Sequence, residues 1–382
     1  MEGLHTVSEN VTTTPEYESL LSQLQSIGLS PIYLLFPLIL YLALVALFRH
    51  HRLRQELEDF PYTTRRSFGG MTNEHAFYIQ QIIGELEFPF TFEKALQFAL
   101  FRTYGIPSIS KLLVDTRQFS EQATSTKRYT DTTVLIREFA GYHPQSERSI
   151  DAVGRMNYIH HQYQKSGKIL DDDMLYTLSL FAGEPVRWID NYEWRKLEDF
   201  EKCAIGTFWK AMGDAMGIGY EKLKSGGEGG EGWRDGLEWL EEVIEWAKGY
   251  EKKAMMPDEN NRKTAEHTVA ILLWGVPNLM KPFGKRVVSA IMDDRLRNAM
   301  MYAYHNYKMS KINAPLMLSV SGSRNRPLSI SCSFHFFSQP ANTSCAFYFS
   351  LAHFLCASTA QQMNQIKKVD ITCMIGKPSR GT

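Results

Sequence analysis

Ser149 to Gln164 reads SIDAVGRMNYIHHQYQ. Ile150, Val153, Met156, His160 and Tyr163 recur at spacings of three, three, four and three, the period of one α-helical face. The face is apolar, so the spacing predicts a core-facing helix with His160 turned inward. His161 sits about 100° around the axis from it. A neutral imidazole on such a face can ligate a metal through one nitrogen while a hydrogen bond fixes the other. It can equally be a core histidine bonded to a backbone carbonyl, and spacing does not separate the two.

Working outward, Lys127 to Phe139 reads KRYTDTTVLIREF. As a helix it brings Arg128 and Thr132 onto one face at i and i+4. A buried Arg beside a hydroxyl can hold a propionate or polarise bound dioxygen; an exposed Arg with an ordinary Thr does neither. Downstream, Asp171 is positioned to cap a helix through Met174, Leu175, Leu178 and Phe181. From Asp235 to Lys253, Leu237, Leu240, Ile244 and Ala247 form one stripe, and Trp239, Val243, Trp246 and Tyr250 a second, which predicts an amphipathic helix. Thr268 to Val276 is apolar nearly all round and reads as a buried helix stopped by Pro277. Ser225 to Gly232 (SGGEGGEG) is a loop that lacks the strand context of a phosphate-binding loop. No alternating strand pattern precedes residue 310. The fold class that follows is all-α.

Pro31 to Phe48 (PIYLLFPLILYLALVALF) carries no charge. With Leu29 and Ser30 it reaches the ~20 residues that cross hydrocarbon as a helix, where Pro37 is tolerated. About thirty mostly polar residues precede it, including Glu2, Glu9, Glu16 and Glu18, which argues against a cleaved signal peptide. Arg49, Arg52 and Arg54 follow, so the N-terminus is expected to be lumenal and the bulk cytosolic. Asn10-Val11-Thr12 is a glycosylation sequon on the expected lumenal side. The expected organisation is a lumenal segment 1–28, a transmembrane helix 29–48, a helical domain 55–305 and an atypical tail 306–382.

Lys+Arg and Asp+Glu are equal at 42 each, which gives no electrostatic case for nucleic acid. Aromatics at 12% suit a large apolar interior. Cys203 stands alone in the body, while Cys332, Cys345, Cys356 and Cys373 lie in the tail with no CxxC pair, so no zinc or redox dithiol site is signalled. HExxH and GxSxG are absent, and the Glu2 to His5 spacing lies before the anchor, so a di-iron bundle is not supported. The tail loses helical period and carries no Lys, Arg, Asp or Glu between Arg326 and Lys367. It reads either as a small β-like appendage or as a poorly ordered, altered end of the gene product.

Four stretches carry a family resemblance: KRYTDTTVLIREF (Lys127 to Phe139), GRMNYIHHQYQKSGKILDDDMLYTLSLF (Gly154 to Phe181), EPVRWIDNYEWRKLEDFEKCAIGTFWKAMGDAMGI (Glu184 to Ile218) and MDDRLRNAMMY (Met292 to Tyr302). Over roughly residues 60–302 the chain resembles the fungal ER-bound oxygenases of the mpaB type, which are distantly similar to the catalytic domain of bacterial latex-clearing proteins. The resemblance implies a globin-like helical core with extra helices, haem b as cofactor, and oxidative cleavage of an apolar prenyl, terpenoid or polyketide-derived substrate with dioxygen in secondary metabolism. It implies His160 as the axial ligand, with Arg128 and Thr132 as the supporting pair, and an endoplasmic reticulum membrane location. The ligand spacing is not identical, so His161 remains a rival, and Asp131 stands where some relatives have Lys. The alternatives are a non-catalytic, membrane-tethered helical protein that binds a lipid or partner enzyme, and an enzyme of the same fold with a non-haem metal.

Overall fold

The computed structural model describes residues 31–48, 50–116, 122–227 and 230–302. The sequon at Asn10, the segment 1–28 and the tail 306–382 lie outside the described residues. Among the described residues every regular element is helical, with no strand, so the chain is all-α, as its periodicity predicts. They fall into two units, one ending at Asp59 and one beginning at Phe60.

The first unit contains α1 (Pro31–Phe48) and α2 (His51–Asp59). On α1 the side chains of Phe36, Ile39, Leu40, Leu44, Leu47 and Phe48 are all exposed. At 1.5 Å per residue its 18 residues extend about 27 Å, against roughly 30 Å of hydrocarbon. Among the described residues no helix is long and apolar enough to cross a membrane.

The second unit opens with a 3-10 turn (Arg65–Gly70) and α3 (Asn73–Gln81), which runs into a π turn (Ile82–Glu87). There follow α4 (Pro89–Thr103), α5 (Pro107–Asp115), α6 (Gln122–Gly141), α7 (Glu147–Lys165) and α8 (Asp171–Tyr192). The unit continues through α9 (Asp199–Ala215), α10 (Gly236–Ala254), α11 (Glu259–Leu272), α12 (Lys281–Ile291) and α13 (Asp294–Ala299). Local chemistry sets many of the starts. Thr72, Ser146, Asp235, Asp258 and Asp293 each accept a backbone N–H from the first turn they precede, filling orphan donors. Asp171 does not cap α8: Leu170 occupies that position, and Asp171, Asp172 and Asp173 fill the first turn, where their charge complements the helix dipole.

Helix α8 is central, with α4, α9 and α10 packed against it. Phe181 stacks on Trp209 of α9 at 5.4 Å between ring centroids, and Phe139 of α6 meets the same indole edge-on at 6.2 Å. The two α10 stripes face this core, with Leu237, Trp239, Leu240, Val243 and Ala247 buried. Helices α9 and α10 touch backbone to backbone. A Cβ on Gly206 would collide with the Gly236 carbonyl, and a Cβ on Gly236 with the Thr207 backbone and hydroxyl. Gly206→Ala is therefore expected to cost about 3 kcal/mol or more, above ordinary overpacking, because a backbone carbonyl cannot rotate away. Urea denaturation of the purified chain measures this; an unchanged midpoint contradicts the close approach.

Two buried ion clusters tie the elements together. Arg102 of α4 donates from Nε and Nη2 to both Glu251 oxygens at 2.7 and 2.8 Å and from Nη1 to Asp293 at 2.5 Å, while the Tyr176 hydroxyl donates to Glu251 at 2.9 Å. Arg195 bridges Glu87 and Glu201 and lies over the Phe88 and Trp194 rings, joining the π turn to α9.

Two expectations need correction. Helix α11 ends at Leu272, short of Val276, and Trp274 is 63% exposed. Gly275 and a residue before proline both disfavour helix there, so the apolar run leaves the core before Pro277. On α7, Ile150 is exposed at 58% while Ser149 and Ala152 are buried. Ten residues separate Ile150 from His160, and at about 100° each the two lie roughly 80° apart. The inward face is centred on Ser149, Ala152, Met156 and His160.

Candidate functional site

Helices α6 and α7 pack together, joined by the short connection 142–146. Ser146 starts α7 by accepting the Ser149 N–H at 3.3 Å. This fixes the helix phase that turns His160 inward and leaves His161 exposed. The His160 ring is half-buried, but its Nδ1 is fully buried and has no hydrogen-bond partner. A core histidine satisfied by a carbonyl does not leave that nitrogen bare, and an orphaned buried polar atom needs an explanation.

Arg128 of α6 lies near enough for its charge to act on His160 and on the buried Tyr104. The neighbouring cations are occupied: Lys127 pairs with Asp131 at 2.5 Å and Arg137 with Glu93 at 3.0 Å. Among the described residues no carboxylate pairs with Arg128. Thr132 is brought to Arg128 differently from the side-chain meeting its spacing suggests. Its hydroxyl donates to the Arg128 carbonyl at 2.9 Å, a common back-bond of a helical threonine. Tyr104 was not signalled by the sequence: it ends α4 just before Gly105, with no periodic partner to mark it.

Burial, and secondarily the Arg128 cation, pull the His160 pKa down to about 4. The ring is neutral at physiological pH, the form that donates a lone pair to a metal. The folded value lies below the ordinary 6.5. The resulting stability is thus fully present above about pH 6.5 and is lost as pH falls through about 4, where the unfolded chain binds the proton first. Imidazole NMR resonances of the chain without added cofactor should titrate for His160 near 4. In Arg128→Gln the value should rise, because a repelling cation is gone. A wild-type value near 6.5 contradicts the burial.

A cavity of about 50 Å³ between α4 and α6 is lined by Leu96, Leu100, Tyr129, Thr133, Ile136 and Phe181, among others. It suits one or two water molecules and is too small for the apolar substrate that the resemblance implies.

These features define a helical protein whose packed α6–α7 pair presents a bare neutral imidazole within the field of a guanidinium that no carboxylate among the described residues pairs. The chain is 52% identical over 265 residues to ER-bound oxygenase mpaB' of Penicillium brevicompactum, covering 69% of this chain and 62% of that protein. It is 52% identical over 265 residues to ER-bound oxygenase mpaB of Penicillium roqueforti (strain FM164), covering 69% and 88%. A third relative, ER-bound oxygenase mpaB of Penicillium brevicompactum, is 52% identical over 243 residues, covering 64% and 61%. The match thus spans about three fifths of the length of the two P. brevicompactum relatives. No family model matches the chain. The chain belongs to the mpaB family.

Proposed function

We propose that this chain is an ER-bound oxygenase that holds haem through His160 and oxidatively cleaves an apolar prenyl, terpenoid or polyketide-derived substrate in secondary metabolism. The observation that carries the reading is the buried, partnerless Nδ1 of a neutral His160 on which the Arg128 charge acts. Kinship at 52% identity to proteins named ER-bound oxygenases supports the oxidative part and the endoplasmic reticulum location.

The donor set fits haem. A neutral inward imidazole would donate to haem iron, and a guanidinium with no carboxylate partner among the described residues would suit a propionate. Bound haem supplies the redox-active iron that dioxygen chemistry requires. His160 offers its lone pair. Arg128 would orient an anionic group and, second to burial, helps keep His160 unprotonated. Thr132 ties its hydroxyl to the Arg128 carbonyl and so steadies that turn of α6. Exposed His161 is the rival donor. A globin-like arrangement of helices around His160 belongs to the same reading. Cleavage of a C=C bond by one dioxygen yields two carbonyl groups, so the reaction balances without an outside reductant.

In this reading α1 belongs to a single transmembrane anchor. Arg49, Arg52 and Arg54 hold the main domain in the cytosol, and a glycosylated Asn10 is lumenal. The anchor keeps the domain where apolar substrates partition. The test is dioxygen uptake by membranes carrying the full chain, with ¹⁸O₂ and prenylated aromatic substrates. Uptake that matches cleavage, with label in both carbonyl products, is expected. Cleavage without dioxygen uptake, or label in neither product, overturns the proposal.

A further inference from the structure

Among the described residues of the second unit, the corner between α11 and α12 carries a cluster of exposed large apolar side chains. Trp274 is 63% exposed, Leu279 90%, Met280 43% and Phe283 42%. Four large apolar side chains within ten residues are more than the scattered singles of an ordinary surface. The corner is a built turn: the Met280 and Lys281 N–H groups both donate to the Pro277 carbonyl, at 2.8 and 3.2 Å. Gly284 seats α12 against buried Leu273, whose side chain a Cβ there would strike. No residue of α12 is fully buried.

Charge decides what this corner meets. Lys281, Lys285 and Arg286 flank the exposed apolar residues, and no Asp or Glu occurs from His267 to Met292. Exposed Trp, Phe and Leu interleaved with basic residues is the composition of an interfacial membrane contact. Lysine, by contrast, is depleted from protein–protein interfaces. A second copy would bring the same cations against themselves. The chain's own segment after Tyr302 offers a single acidic residue, Asp370.

We infer that the α11–α12 corner is the domain's own docking site on a bilayer carrying anionic lipid, with Trp274, Leu279, Met280 and Phe283 entering the headgroup boundary and Lys281, Lys285 and Arg286 held by lipid charge. This contact is additional to the proposed anchor and independent of the haem assignment. It brings the helical domain down onto the surface instead of leaving it at the end of a tether.

The test reconstitutes the full chain in phosphatidylcholine vesicles with and without phosphatidylserine, using brominated lipid to quench tryptophan. Trp274→Phe isolates one of seven tryptophans. The quenched component is expected to vanish in Trp274→Phe and to grow with phosphatidylserine. In Lys281→Gln/Lys285→Gln/Arg286→Gln the docking equilibrium should weaken on the order of a hundredfold, about fivefold per cation. These side chains are on the surface, so the variants should keep the wild-type circular dichroism. Quenching that survives Trp274→Phe unchanged, or ignores lipid charge and the triple variant, overturns the proposal. So does a wild-type dimer that Leu279→Glu converts to monomer, since a second copy then covers the corner. Flotation with the vesicles at high salt reports the anchor separately: its loss breaks the anchor reading while Trp274 quenching remains readable.

Discussion

His160→Ala yields a folded chain that no longer retains haem and has lost activity by more than about a hundredfold, since losing even a group that only orients a metal ligand costs about 10–100-fold. His161→Ala, at an exposed position, retains both. Folding is expected to survive because alanine removes a buried nitrogen that has no partner, and such an orphan itself costs about 1–3 kcal/mol. The cavity left by the ring works against this gain, so the net change in stability is small. The measurement pairs haem content after gel filtration with dioxygen uptake, and uses urea denaturation as the folding control. If His161→Ala loses haem and His160→Ala keeps it, the ligand is the exposed neighbour and the orphaned Nδ1 has another explanation.

Arg102→Met is expected to be the most destabilising single change in the domain, at about 3–5 kcal/mol. One guanidinium holds both oxygens of Glu251 and one of Asp293, and Glu184 lies 3.8 Å from its Nε. Burial opposes the Arg102 charge, but the hydrogen bonds and attraction of Glu251 keep it firmly protonated. Without Arg102, Glu251 remains in the core as an uncompensated carboxylate, while Glu184 keeps its pairing with Arg187, and removing one partner costs more than the pair contributes. The loss is a large share of the roughly 5–15 kcal/mol that holds a domain folded. It corresponds to a melting point lowered by roughly 6–20 °C for a domain of this size. Arg102→Met/Glu251→Gln should recover part of the loss, because two residues in one network are not additive. Equal melting points for Arg102→Met and wild type contradict the cluster's role.

Long periodic helices were legible in the sequence because periodicity reports one face of one element. The α10 stripes, the α6 helix and the inward turn of His160 all follow from spacing of three and four. What periodicity does not report is which cation meets which carboxylate, since Arg102 and Glu251 are joined only by tertiary packing. The effect of the Arg128 charge on Tyr104 is of the same kind. The α7 stripe was misphased at Ile150 because small errors in angle accumulate over ten residues. The α11 end was overextended because apolar residues at Trp274 and Val276 look buried when only their type is known. That misreading hid the exposed corner, since a run of apolar residues outside the core has the composition of one inside it.

The central claim is that His160 binds haem, and the most direct measurement is an absorption spectrum of the full chain purified with haem offered during expression. A Soret band that persists through gel filtration in wild type, disappears in His160→Ala and returns in His160→Gly when free imidazole is added is the predicted result. A colourless wild-type chain, or a band equally strong in His160→Ala, contradicts it.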